Sequence, residues 1–373
     1  MNNKHNKKVY LVTITIIILY TINIIGIDVV PIEEVDVING VSYDIQKMSP
    51  TSFKYVFPFS FSIFNLNGKR GNKVNVGEGF TVGDAIQNRQ RVMNKKFVQG
   101  LEKVFVISEK YASNGIRNML DERARSNEAS DMAFGMVCKG NSEDILKVKI
   151  KGYPSSSDYL QGLIDKAQQE NFFSQNYKII DIFVRADSEG RNVVLPYVEI
   201  DEEIIGITGM AVFKKDRMVC KTDVEDARLL NMLRENDVDG TLSLKKNAHE
   251  YIDIHVNSKR KVKCEKRGEK YSFTINLNMT GDIITNELYR DIKDSPEEKK
   301  EFENEISKKT EEKCRSFINK MQNEYKVDCL ELGKKAASKY GRRKGIDWNE
   351  VICNSDIEVK IKVKVSRQGK GDY

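Results

Sequence analysis

The chain has 373 residues, 31% of them charged and 40% hydrophobic, with a net charge of +6 from 61 Lys and Arg against 55 Asp and Glu. Charges so evenly interleaved form no nucleic-acid footprint. A mean hydropathy of −0.50 with a single long apolar run excludes a multi-span channel or transporter.

That run comes first. VYLVTITIIILYTINIIGI, from Val9 to Ile27, is 19 residues without a charge and holds eight Ile, two Leu and two Val. As a helix it would cover roughly 28 Å, close to the hydrocarbon thickness of a bilayer. So β-branched a run is a poor helix in water, but lipid forces the backbone to bond internally. Lys4, Lys7 and Lys8 precede it and Asp28, Glu33 and Glu34 follow, which orients the N-terminus to the cytoplasm and the rest outward. We expect a signal anchor over residues 1–27, with Val9, Leu11, Ile14, Ile17, Ile18, Leu19, Ile22, Ile25 and Ile27 in the lipid.

Beyond the anchor, residues 35–43 and 55–64 are apolar and aromatic enough for strands, with a GKRGNK turn region at 68–73. Residues 82–98 change to helical spacing. A short apolar run at 104–107 leads to a helix over 108–125, a strand over 133–138 and a short helix over 142–146 opened by a capping serine. SSSD at 155–158 starts another helix, with Leu160, Leu163, Ile164 and Ala167 on one face, and 179–184 reads as a strand. Strands alternating with helices predict a mixed sheet with helices packed on it, a domain over 28–196.

The pattern changes after Pro196. MAVFKKDRMVC at 210–220 is a hairpin signal and 224–233 an amphipathic helix, a small middle domain over 197–239. The last domain, 240–373, opens with short strands and turns to about 284, such as 271–277. A charged helix over 296–325 follows, with a core stripe of Phe302, Ile306, Cys314, Phe317 and Met321. After a break near Asp328 a helix reaches Tyr340, and the GRRK cluster at 341–344 reads as a solvated turn. The closing DIEVKIKVKV alternates Ile357, Val359, Ile361, Val363 and Val365 with charged residues, a strand with one buried face.

Motifs for chemistry are sparse. The six cysteines, at 138, 220, 264, 314, 329 and 353, form no CxxC pair and no metal spacing with histidine, and read as small buried apolar side chains. In HEYIDIH, His249, Asp253 and His255 would share one strand face, yet the spacing matches no ligand pattern. The glycines of VGEGFTVG, at 77, 79 and 83, are not in the GxGxxG spacing of a nucleotide loop. No Ser-His-Asp arrangement stands out, so no catalytic, cofactor or metal residue is assigned.

Four stretches, in order, carry a resemblance. IEEVDVINGVSYD (32–44) resembles the EIxDLAxVxGxGID opening of the Ger(x)C family, the C subunits of spore nutrient-germinant receptors. GIRNMLDERARSNEASDMAFGMVCKGNSEDIL (115–146) resembles its GIxPxLDxxxRDPExR and AKGxAxDIL segments. MAVFKKDRMVCKTDVEDARLLNML resembles its TAVFKxDKLVGxLxxxExxxLLxL. DCLELGKKAASKYGRRKGIDWNEV, running into IEVKIKVKVSRQG, resembles its DILGFGxxxxxKYPxxWxxIxxxWxExF and closing strand. The turn Leu330-Glu331-Leu332-Gly333 keeps only the last glycine of the family's pattern, and Gly341 stands for its proline. The family's mature chain begins with a lipidated cysteine; counting back from Ile32 places it at Gly26 or Ile27. Neither carries a thiol, so no lipidation is expected and the segment is expected to remain as an anchor.

The resemblance implies an α+β protein, the N-terminal membrane helix being followed by three small mixed α/β domains, with no enzyme activity and no cofactor. It implies a body on the outer face of the inner spore membrane, beside a transporter-like subunit and a second membrane subunit, the A- and B-type partners. The role implied is in nutrient-triggered germination, with neither nucleic acid nor a small-molecule substrate bound directly. Two other classes stay open: an extracytoplasmic solute-binding receptor, which needs a pocket between lobes, and a spore-cortex or cell-wall hydrolase, which needs a cleft with a carboxylate pair.

Overall fold

The computed structural model describes residues 2–24, 30–50, 52–64, 70–126, 128, 130–289, 292–342 and 345–367. Helix α1 (Asn2–Ile24) is described in its side chains over 7–22, all of them exposed. Among the described residues no helix is long and apolar enough to cross a membrane. Ile25, Gly26 and Ile27 lie outside the described residues.

A nine-stranded mixed sheet organises the first half. Strands β1 (Val35–Ser49), β2 (Ser52–Phe64) and β3 (Arg70–Gly79) form an antiparallel meander. The expected turn at 68–73 is therefore largely strand: Arg70 to Lys73 already pair with β2, and 65–69 lie outside the described residues. Gly77 and Gly79 end β3, and a Cβ on Gly77 would come within 2.2 Å of the Ala85 carbonyl. Bare backbone there lets helix α2 (Val82–Gln90) fold flat onto the strand, capped by Thr81. The helical spacing read over 82–98 stops at Gln90, and β4 (Lys96–Val98) pairs in parallel with the start of β1.

Strand β5 (Val104–Ser108) runs parallel to β1 and is buried throughout. The single helix expected over 108–125 is two, α3 (Glu109–Asn114) and α4 (Arg117–Arg125). Gly115 at φ +120° breaks it, and the Ile116 N–H turns to the Asp216 carbonyl. Strand β6 (Phe134–Cys138), helix α5 (Ser142–Lys147) and helix α6 (Ser156–Glu170), with Ser155 accepting from the Asp158 N–H, stand where the sequence put them, except that Asn141, not a serine, is the N-cap of α5 and Ser142 is its first residue. Residues 179–184 do not form a strand. They are helix α7 (Ile179–Asp187), whose buried Ile179, Ile182 and Arg185 recur every three residues and whose Lys178 N–H is capped by Asp181.

The sheet continues across the expected boundary at 196/197, because Pro196 lies inside strand β7 (Val194–Asp201), parallel to β6. Strands β8 (Ile204–Lys214) and β9 (Arg217–Lys221) extend it as an antiparallel hairpin, so the order is β3-β2-β1-β5-β6-β7-β8-β9, with β4 beside β1. The hairpin of the expected middle segment thus belongs to the first sheet, with helix α8 (Val224–Arg234) packed on β8.

A second, four-stranded sheet carries the rest. Strands β10 (Val238–Lys245), β11 (Tyr251–Arg267) and β12 (Lys270–Asn286) are antiparallel, and β11 and β12 are 17 residues each rather than short strands. Helices α9 (Pro296–Lys320), α10 (Leu332–Tyr340) and α11 (Trp348–Cys353) form the crossover to β13 (Asp356–Arg367), parallel to β12. Phe302, Ile306, Cys314 and Phe317 of α9 and Met321 of the π-turn behind it are buried, as are Val359, Ile361, Val363 and Val365 of β13. Cys138, Cys264, Cys314 and Cys329 are buried as apolar side chains, and all six cysteines are free thiols. The mixed α+β class expected from the sequence holds.

Candidate functional site

Where the two sheets meet, four segments deliver charge into the interior. Helix α7 carries Arg185 on its buried face, and the loop behind it brings Arg191 and Asn192. Helix α8 ends in Arg234, followed by Glu235. The link between the π-turn and α10 supplies Asp328 and Glu331. That link bends through Lys326 and Glu331 at φ +53° and +57°, the left-handed region that L residues visit rarely.

Glu331 is the centre. Its Oε1 accepts from Arg234 Nη2 at 2.9 Å and from Arg185 Nε and Arg191 Nη2 at 3.0 Å each. Arg234 also donates from Nη1 to the Cys329 carbonyl at 2.7 Å and from Nη2 to the Asn192 carbonyl at 3.0 Å, and its Nε meets Glu235 at 3.2 Å. Arg185 reaches Glu235 at 3.3 Å and the Asn176 carbonyl. Burial works to raise the Glu331 carboxyl, but Arg234, Arg185 and Arg191 together hold it far below the usual carboxylate range. Burial likewise opposes the charge on Arg234, and Glu331 and Glu235 reverse that and raise it.

Asp328 sits beside this cluster in a different role. Its carboxylate accepts from the Leu330, Leu332 and Gly333 N–H groups at 3.1, 3.2 and 2.7 Å, satisfying the open donors at the start of α10. Burial pushes it up to about 6 in spite of those bonds. Asn349 Oδ1 accepts from Asp328 N at 3.0 Å and from Asn192 Nδ2 at 2.7 Å, and Trp348 Nε1 donates to Glu189 at 2.9 Å. Gly190 and Gly333 pack backbone to backbone: a Cβ on Gly190 would fall 2.3 Å from the Gly333 carbonyl carbon, and Lys334 N donates to Gly190 O at 2.7 Å.

This arrangement is a fixed joint. Removing one partner from such a buried network leaves uncompensated charge and costs about 3–5 kcal/mol, so Glu331 and its arginines tie α7, the end of α8 and the link before α10 firmly together. Both carboxylates are committed to these contacts, which suits positioning and not proton transfer.

The motifs singled out in the sequence lie elsewhere. His249 is exposed in the loop before β11, while Asp253 and His255 share the outward face of β11, where Asp253 accepts from Thr285 at 2.6 Å. Among the described residues no group of three or more His, Cys, Asp and Glu could hold a metal ion. Gly77 and Gly79 serve the packing of α2, and Gly83 is inside that helix. Val9, Leu11, Ile14, Ile17, Ile18, Leu19 and Ile22 lie on α1, each at least half exposed. Gly341 ends α10 at φ +103°, and Arg343 and Lys344 lie outside the described residues.

Sequence reasoning missed the joint, since its arginines come from segments up to 146 positions from Glu331. One signal pointed at it. Glu331 stands at the first glycine of the DILGFG pattern, and the positive φ there is the physical reason for a glycine.

Two family models match the chain side by side. The "Spore germination protein N-terminal domain" model covers residues 28–200, and the "Spore germination B3/ GerAC like, C-terminal" model covers residues 208–369. The chain is similar to the spore germination protein GerQC of Bacillus cereus, 20% identical over 344 residues that span 91% of this chain and 93% of that protein. In fold it is similar to the crystal structure of the GerBC protein, with a TM-score of 0.58 and 18% identity over 87% of this chain and 97% of that one. Arg185 and Arg191 fall within the first matched region, and Arg234 and Glu331 within the second.

Proposed function

Because the chain belongs to the Ger(x)C family, matched by its two domains from residue 28 to residue 369, we propose that it is a non-catalytic C-type subunit of a spore germinant receptor, needed for nutrient-triggered germination. That match over two adjacent family domains carries the reading. The similarity to GerQC over nearly its whole length supports a subunit of that kind, and the likeness to GerBC supports its fold.

In this reading the segment over residues 1–27, whose apolar run continues to Ile27 beyond the described part of α1, is the membrane anchor. Its uncharged run from Val9 onward and its solvent-facing apolar side chains, which touch none of the packed core, favour lipid as their surroundings. The body then works on the outer face of the inner spore membrane, next to an A-type and a B-type membrane subunit. The rigid joint at Glu331 lets it act as one piece against those partners. The expected regions 28–196 and 197–239 act as one unit of that body, since they share one sheet, and 240–373 as the other.

Spores carrying a deletion of this chain test the proposal. They should fail to respond to the nutrient that triggers the parent strain while still germinating with a surfactant or high pressure, and pull-down of the tagged chain from spore membranes should bring two membrane proteins with it. A normal nutrient response in the deletion strain would defeat the assignment.

A further inference from the structure

A cleft of about 660 Å³ opens beside the joint, between α10 and β11. Arg260 and Val262 of β11 form one wall and Lys334, Lys335 and Ser338 of α10 the other, with Asn236 at one end. Asn236 Oδ1 holds the Arg260 backbone N–H at 2.8 Å, which fixes the strand at that point. Arg260 donates from Nη2 to the Leu330 carbonyl at 2.8 Å, while its Nε is buried without an acceptor.

The charges around the cleft do not balance. Glu331 also lines it, but its Oε1 is already shared by Arg185, Arg191 and Arg234, and its Oε2 stands 3.7 Å from Lys334. Lys335 makes no ion pair among the described residues, and Lys261 and Lys263 stand on the same strand as Arg260. Burial lowers Arg260 to about 10, helped by the Arg234 charge, although Glu331, Asp328 and Glu235 act to raise it. Lys334 is lowered as well, by burial and by Arg191.

We propose that this cleft is a binding site for a small dianionic oxyanion of the phosphate class, held by the positive charge of the Arg260 guanidinium in its wall and by the ammonium groups of Lys334 and Lys335. The open cleft has room for such a group carried on a larger molecule. An anion there would bridge β11 to α10 directly outside the Glu331 joint, so its binding would stiffen the same seam.

Calorimetric titration of the full-length chain in detergent tests this, with inorganic phosphate as the probe and sodium chloride holding the ionic strength constant. Saturable binding is expected, weakened about tenfold or more in Arg260→Gln and in the exposed pair Lys334→Gln/Lys335→Gln. The lysine pair lies on the outer face of α10, so it reads the site even where Arg260→Gln folds poorly. A parallel titration with a soluble glycerophosphodiester separates a free dianion from a lipid headgroup: the dianion should bind clearly tighter. No saturable phosphate binding, unchanged binding in the lysine pair, or equal binding of the diester would overturn the proposal.

Discussion

Glu303 of α9 accepts the backbone N–H of Val365 at 2.8 Å, and the contact repeats along the helix. Ser307 takes the Val363 N–H at 3.0 Å and Glu311 the Ile361 N–H at 2.8 Å. Four helical residues rise about 6.0 Å and two strand residues about 6.6 Å, so one face of α9 keeps step with the open edge of β13. The acceptors that a further strand would use are replaced by side chains, and the edge is closed. Replacing Glu303, Ser307 and Glu311 together with Ala should reopen it. We expect lower stability, by about 1 kcal/mol per exposed donor left unpaired, and concentration-dependent association by light scattering. A variant that stays monodisperse would show that the edge is blocked by something else.

The same strand tests the core. Ile361 is 7% exposed and Lys362 faces solvent. Ile361→Lys should cost on the order of 3 kcal/mol or more in urea unfolding, because a charge then lies in the apolar interface with α9. Lys362→Ile should stay within about 0.5 kcal/mol. Equal losses would mean that the buried face of β13 is misassigned.

Glu331 combines backbone strain with electrostatic centrality. Glu331→Gly relieves the positive φ yet leaves Arg185, Arg191 and Arg234 without their shared carboxylate. The loss of the carboxylate should dominate, for a net destabilisation of about 2–4 kcal/mol. A stabilised glycine variant would instead show that relief of the left-handed backbone outweighs the lost ion pairs.

Acid exposes the same residue. Its folded carboxyl lies far below the unfolded value of 4.5, so its contribution is complete above about pH 4.5 and is lost as the pH falls below it. The stability difference between the native chain and Glu331→Gln should therefore be constant from neutral pH to about 5 and shrink on further acidification. A gap that persists undiminished to pH 3 would contradict the depressed carboxyl.

The histidines should be dispensable. His249 and His255 replaced together by Ala ought to leave nutrient-triggered germination near normal at unchanged protein levels, because His249 lies in an exposed loop, His255 faces outward on β11, and among the described residues neither belongs to a metal-ligand cluster. A severe loss would point to chemistry at HEYIDIH.

Anchoring by α1 can be read from retention. Arg in place of Ile17 should cost about 2.5–3.5 kcal/mol of insertion free energy and shift the protein toward the soluble fraction. Intact mass from spore membranes should match the chain with its first residues present and no added lipid. A mature form beginning near Asp28 would show a cleaved signal.

The sequence by itself determined whatever depends on local period. The alternation of 357–365, the stripe from Phe302 to Met321 and the cap at Ser155 each specify an element, because burying one face requires that spacing whatever the partner is. Short apolar runs do not: KIIDIFV became α7 since tertiary packing placed Ile182 under the sheet and Arg185 in the joint, a choice that period alone leaves ambiguous over so few residues. Strand length also escaped local reading, because β11 and β12 keep pairing for 17 residues through charged positions that each other's backbone stabilises. Only the folded chain brings Arg185, Arg191 and Arg234 to Glu331. Their meeting is set by the crossing of the two sheets, and no local pattern of charges records which distant carboxylate will offset them.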